Sequence, residues 1–250
     1  MELRSGNPAL GDRTFQGLGI PATDEETMTI QGTVNKTAFL LALVLLTSGW
    51  TWYLYSQTMD PASVMPWVIV GAVGGLIVAL VTVFKPAWSP ITASLYALLE
   101  GLFIGGISAI LESQYPGIVF QAVGLTFGTL AVLLMVYKSG LIKVTDNFRM
   151  GIVAATGGIF LVYLVSIVLG LFGVNVPYIH GSGLVGIGFS VFVVVIAALN
   201  LVLDFDFIEK GSQSGAPAYM EWFGAFGLMV TLVWLYIEIL RLLAKLRSRN

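Results

Sequence analysis

The sequence predicts an all-α polytopic membrane protein, a bundle of seven transmembrane helices, and three observations carry that expectation. The 250 residues are 57% hydrophobic and only 10% charged, with a mean hydropathy of +0.90, whereas soluble domains carry roughly a quarter charged residues. The apolar residues fall into seven runs of about the 20 needed to cross a bilayer core as helix, not into the ten-residue alternating strands of a barrel. The 29 glycines match the higher glycine frequency of membrane helices.

Residues 1–36 form a polar stretch containing Gly, Pro and an acidic "DEE". It lacks the basic start and apolar core of a secretory signal. Its loop-like composition predicts a cytoplasmic tail, although "TMTIQGTVNK" is able to form a short helix or cap against the bundle. The membrane domain, 37–243, then opens with Ala38–Tyr55 and Val64–Phe84, separated by the turn formers "DPAS". "KPAWSP" leads into Ile91–Leu111, and "SQYPG" into Gly117–Tyr137. The fifth run is Met150–Val174. The sixth, Gly183–Leu203, follows "VNVPYIHGSG", and the seventh, Trp222–Leu243, follows "GSQSGAPA". A basic tail, 244–250, ends the chain.

Lys and Arg near the segment ends set orientation. Arg4, Arg13 and Lys36 precede the first segment, Lys85 follows the second, Lys138, Lys143 and Arg149 follow the fourth, and Lys210 follows the sixth. The loops after the first, third and fifth segments carry none, so the N-terminus is expected inside. Seven full crossings would place Arg241, Lys245, Arg247 and Arg249 outside, against the same rule. The alternative is a last helix that enters and returns. The first six helices dominate topology, which favours seven crossings.

Composition also excludes functions. Without cysteine there is no disulfide, thiolate catalysis or zinc–thiolate site, and a net charge of −2 argues against nucleic acid. His180 is the only histidine. No HExxH motif, Ser–His arrangement (Ser182 is merely nearby) or pair of aspartates on facing helices suggests an intramembrane protease, so no enzyme is expected.

Membrane helices pair through close backbone approach at small residues. Gly101 and Gly105, Gly124 and Gly128, the Gly71–Gly74–Gly75 group and the glycines at 183, 186 and 188 are therefore read as packing sites.

Ionisable groups inside the apolar runs are default functional candidates because they are costly there. Glu100 lies near the middle of segment three, Asp204 and Asp206 at the end of segment six, and Glu238 deep in segment seven. Asp204 and Asp206 are about 200° apart around a helix and cannot share a face. Asn200, one turn before Asp204, gives that face a second polar group, so Asp204 is expected to look into the bundle. Asp206 is expected at the wet end, paired with Lys210 four residues on. Glu238 precedes Arg241 by three residues and is a candidate ion-pair partner. Lys85 reads as snorkelling to headgroups, and His180 as a surface residue.

"LNLVLDFDFIEKG" followed by "LVWLYIEILRLL", with "LYALLEGLFIGGIS" earlier, resembles the Bax inhibitor-1/YccA (TMBIM) family over residues 28–247. "MTIQGTVNKT" and "KPAWSPITASLYALLEG" resemble a bacterial branch with an extended N-terminal tail. The resemblance implies a bundle with the last helix central, in the bacterial inner membrane. It also implies a pH-sensitive calcium leak governed by two facing carboxylates, which map to Asp204 and Glu238. A basic residue after the second helix maps to Lys85 as a partner for the sensor. Such a pair would share one proton and hold Ca²⁺ only weakly, since a tight site takes six to eight oxygens; no other cofactor is implied. Glutamate replaces the family's usual aspartate at 238, and the stretch between the two carboxylates is longer than usual. Unless the last helix re-enters or "APAYMEWFGAFG" lies in the membrane plane, Glu238 would sit too far across to meet Asp204. Two other readings are a membrane regulator that binds another membrane protein, such as a quality-control protease, and a proton-coupled transporter relaying through Glu100 and Asp204.

Overall fold

The computed structural model describes residues 27–173 and 181–249. His180 and the first 26 residues lie outside that range. Seven helices follow one another: α1 Ile30–Thr58, α2 Met65–Phe84, α3 Ser89–Gln114, α4 Ile118–Lys138, α5 Asp146–Leu171, α6 Leu184–Gln213 and α7 Tyr219–Arg247. All seven are long and apolar enough to cross a membrane, and among the described residues the only β pairing is an isolated bridge between Thr27 and Pro217. The chain is a multi-pass membrane protein.

Helix α1 begins at Ile30, inside the stretch read as tail. Thr29 makes the start: its side chain accepts from the Gly32 N–H at 2.9 Å, satisfying one of the donors a helix leaves open. The capping goes further, onto α7. Glu221 accepts from the Thr29 N–H at 2.8 Å and from its hydroxyl at 2.7 Å, and pairs with Lys36. The Met28 N–H donates to Ala216 O at 2.7 Å. That carbonyl is presented by a tight turn in which Gly215 takes φ +66°, a left-handed conformation suited to glycine.

These contacts put the starts of α1 and α7 side by side. Ser89 Oγ donates to Tyr219 O at 3.0 Å, and the Ser108 and Tyr236 hydroxyls meet at 2.7 Å, so α3 runs parallel to α7. Ser190 and Lys245, 2.9 Å apart, show that α6 runs antiparallel to it. Hence α7 is one unbroken helix from Tyr219 to Arg247, and its basic end lies at the end of the bundle opposite the start of α1. Among the described residues no break or return interrupts it, and "YMEWFGAFG" forms its first turns.

Helix α7 packs on α1, α3, α4 and α6 and is the most buried span. The last helix is central.

Glycine explains the closest approach, and also where sequence reading overreached. A Cβ on Gly101 would lie 2.4 Å from Val44 O, and one on Gly105 2.4 Å from Ser48 O, both in α1. Gly71 meets Leu99 O at 2.5 Å in the same sense. A Cβ on Gly124, Gly128, Gly183 or Gly188 meets nothing within 4 Å. Among the described residues the second GxxxG therefore faces open space and brings no helix into close approach, although its spacing is the same.

Candidate functional site

Polar side chains converge on the seam shared by α5, α6 and α7. At the face where α1 starts, Arg149 of α5 lies 2.8 Å from Asp206, and Lys210 lies 2.7 Å from the same oxygen. The Lys210 pair is the expected one. The wet exit is not what is found: Asp206 is 9% exposed and Arg149 7%, because Arg149 reaches in from α5 and closes over the carboxylate. Beside it Glu209 accepts from the Tyr137 hydroxyl.

Asp204 looks into the bundle, as expected, with 1% exposure. Thr231 of α7 is its neighbour across the helix interface, and Oδ2 is buried with no hydrogen-bond partner among the described residues. One turn on, the Asn200 amide donates to the Thr156 hydroxyl of α5 at 2.9 Å and to Ile196 O at 2.8 Å. Beyond it lies Glu238, 2% exposed, which takes the Tyr163 hydroxyl at 3.0 Å on each oxygen and Arg241 at 3.1 Å. The ion pair with Arg241 is therefore present, with Tyr163 added. Arg241 also donates to the Tyr163 hydroxyl at 2.7 Å. Nearest the opposite face, Lys245 donates to Ser190 and to Gly186 O at 2.9 and 3.0 Å.

The facing of Asp204 and Glu238 is not found. Thr231 opposite Asp204 and Lys245 opposite Ser190 follow one antiparallel register. Glu238 lies seven residues past Thr231, about 10 Å further along the axis. The two carboxylates share the α6–α7 interface but stand two turns apart, because α7 starts at Tyr219 and runs unbroken. Lys85 is exposed at the end of α2, and among the described residues no hydrogen bond or ion pair joins it to Asp204.

Glu100 belongs elsewhere. It lies against Tyr96 of its own helix and against Gly75 of α2, where a Cβ would come 3.2 Å from Oε1. Oε2 is buried without a hydrogen-bond partner among the described residues.

From Asp206 to Ser190 the column covers sixteen residues of α6, about 24 Å of rise against a hydrocarbon core of about 30 Å. Among the described residues no three carboxylate or histidine side chains gather as a metal cage would. Sequence reading missed Arg149, Thr156, Tyr163, Thr231 and Glu221. Tyr163, which with Ser166 is one of two polar side chains in "IFLVYLVSIV", was the signal available, since a tyrosine hydroxyl in an apolar setting needs a partner. Thr156 and Thr231 resemble any packing residue until a neighbour is known.

A seven-helix membrane protein with its last helix at the centre and ionisable groups strung along that helix is the class these features define. A family model described as Bax inhibitor 1 like matches residues 7–248, and the chain belongs to that family. No curated protein matches it.

Proposed function

We propose that this protein is a non-enzymatic, pH-sensitive leak for cations, calcium among them, gated along the polar column of α5, α6 and α7. The observation that supports this best is the buried Oδ2 of Asp204, which has no hydrogen-bond partner among the described residues. A full charge there without a counter-charge is costly, so a proton and a cation compete for the group. With the proton bound, Asp204 is neutral and the seam stays closed. A cation in its place needs more ligands, and it draws α5 or water into the seam. Glu238, already compensated by Arg241, is a second station toward the other face. Few oxygens at each level mean weak binding, which suits an ion that must also leave. The Lys and Arg distribution supports a cytoplasmic start of α1, and the resemblance of the N-terminal motifs to a bacterial branch supports the cytoplasmic membrane of a bacterium.

The test is Ca²⁺ flux into liposomes as a function of pH for wild type, Asp204→Asn and Glu238→Gln. The expected result is that Asp204→Asn flattens the pH profile, while Glu238→Gln changes the flux and keeps a profile. Unchanged pH dependence in both variants would sink the reading.

A further inference from the structure

A groove runs between α1 and α4, reaching Asp206 and Glu209 of α6 at its outer end. Helix α1 packs on α3 and α7, and α4 on α6 and α7. Between them two crevices follow each other in depth. The outer one, about 720 Å³, opens at the face where α1 starts, between Val34 and Leu134, with Lys138 and Lys143 in its lining. The inner one, about 290 Å³, continues between Val44 and Val123. Consecutive residues of α7, Leu228 and Met229, line the outer and inner crevice in turn, so they form one groove floored by the central helix.

We propose that this groove holds one anionic phospholipid, its headgroup at Lys138 and Lys143 and an acyl chain along α1. Three features of the groove select that occupant. Its inner part is lined mainly by apolar side chains, and the charged residues, two exposed lysines with Asp206 and Glu209, lie in the outer crevice only, which suits a molecule with one polar end and an apolar body. The carboxylates at that mouth are already engaged, Asp206 by Arg149 and Lys210 and Glu209 by Tyr137, leaving the lysines to meet an anion. The depth also fits. One leaflet with its headgroups is half of about 40–45 Å, or roughly fifteen residues of helix, which leads from Ile30 to Val44 at the inner crevice. Lysines in a pocket between membrane helices recognise anionic headgroups by charge.

The test is native mass spectrometry of the full-length protein released from micelles doped with equal phosphatidylglycerol and phosphatidylcholine. Wild type is expected to retain phosphatidylglycerol about thirtyfold over phosphatidylcholine, the two lysines near the headgroup contributing about 1 kcal/mol each. Lys138→Gln with Lys143→Gln should bring the two lipids level. Ala38→Trp, at an exposed position in the outer crevice, should reduce retention of both while the melting temperature holds. Equal retention by wild type, a preference that survives both changes, or a second copy of the chain in place of lipid would overturn the proposal.

Discussion

Asp206 carries two cations, and they are not equivalent. Arg149 is buried and comes from another helix, whereas Lys210 is one turn away and partly exposed. Stranding a buried charge costs about 3–5 kcal/mol, and losing Arg149 takes part of that cost because only the partly exposed Lys210 then remains on Asp206; an i,i+4 surface pair contributes about 0.3–0.5 kcal/mol. Arg149→Met should therefore lower the melting temperature in detergent markedly, and Lys210→Met by little. Equal shifts would show that the two cations share the load. The separation of Asp204 from Glu238 has its own consequence. Effects of sites more than about 7–10 Å apart, without shared partners, add, so the log flux changes of Asp204→Asn and Glu238→Gln should sum in the double variant. A double variant no worse than the stronger single would mean that the carboxylates act as one unit. At this scale the sequence was legible in part. Asp204 was identifiable because helix geometry separates it from Asp206. Its neighbour Thr231 was not, because register between two helices is set by the loop and the packing, which no spacing along one helix encodes.

Helices differ in what holds them. Where α1 meets α3, backbone approaches the Gly101 and Gly105 positions so closely that a Cβ on either requires the helices to part. Overpacking of this kind costs about 1–3 kcal/mol. Gly105→Ala should destabilise the fold by that amount, whereas Gly124→Ala in α4 should be neutral or slightly stabilising, since alanine is the better helix former; denaturation in mixed micelles reads both. The two GxxxG motifs look alike in sequence, and only the neighbouring helix distinguishes them. Helix α5 is different again. It packs mainly on α6, through Arg149–Asp206, Thr156–Asn200 and a small apolar cluster of Ile159 with Val193 and Ile196, while Tyr163 reaches Glu238 of α7. A helix held by polar stitches at the edge of a polar seam is the natural moving part. In this cysteine-free chain, a short bis-methanethiosulfonate crosslink, attached by a disulfide at each of Ile159→Cys and Val193→Cys, should suppress flux, and reduction of those disulfides should restore it. Flux that persists in the crosslinked protein would place the moving part elsewhere.

Across the whole molecule the charge pattern and the architecture pull in different directions. The starts of α1, α3, α5 and α7 share one face with Lys36, Lys85, Lys138, Lys143, Arg149 and Lys210, as short connections between successive crossings require. Arg247 is on the other face, where it donates to Pro116 O at 2.7 Å, beside Lys245 and Arg249. The positive-inside bias counts the flanks of early helices most heavily and is a bias on insertion, not on packing. A central α7, clasped at its start by Thr29 and Lys36 through Glu221, has no lipid-facing position in which it could turn back. Its inward charges also find partners: Lys245 bonds to Ser190 and Gly186 O, and Arg241 to Glu238 and Tyr163. Single cysteines at Ser139 and Ser248, both in terminal turns of the bundle, make the topology measurable in intact cells. A membrane-impermeant maleimide should label Ser248→Cys from outside and Ser139→Cys only after the membrane is opened. Labelling of both from the same side would contradict a seventh crossing and would remove Glu238 from the far half of the column.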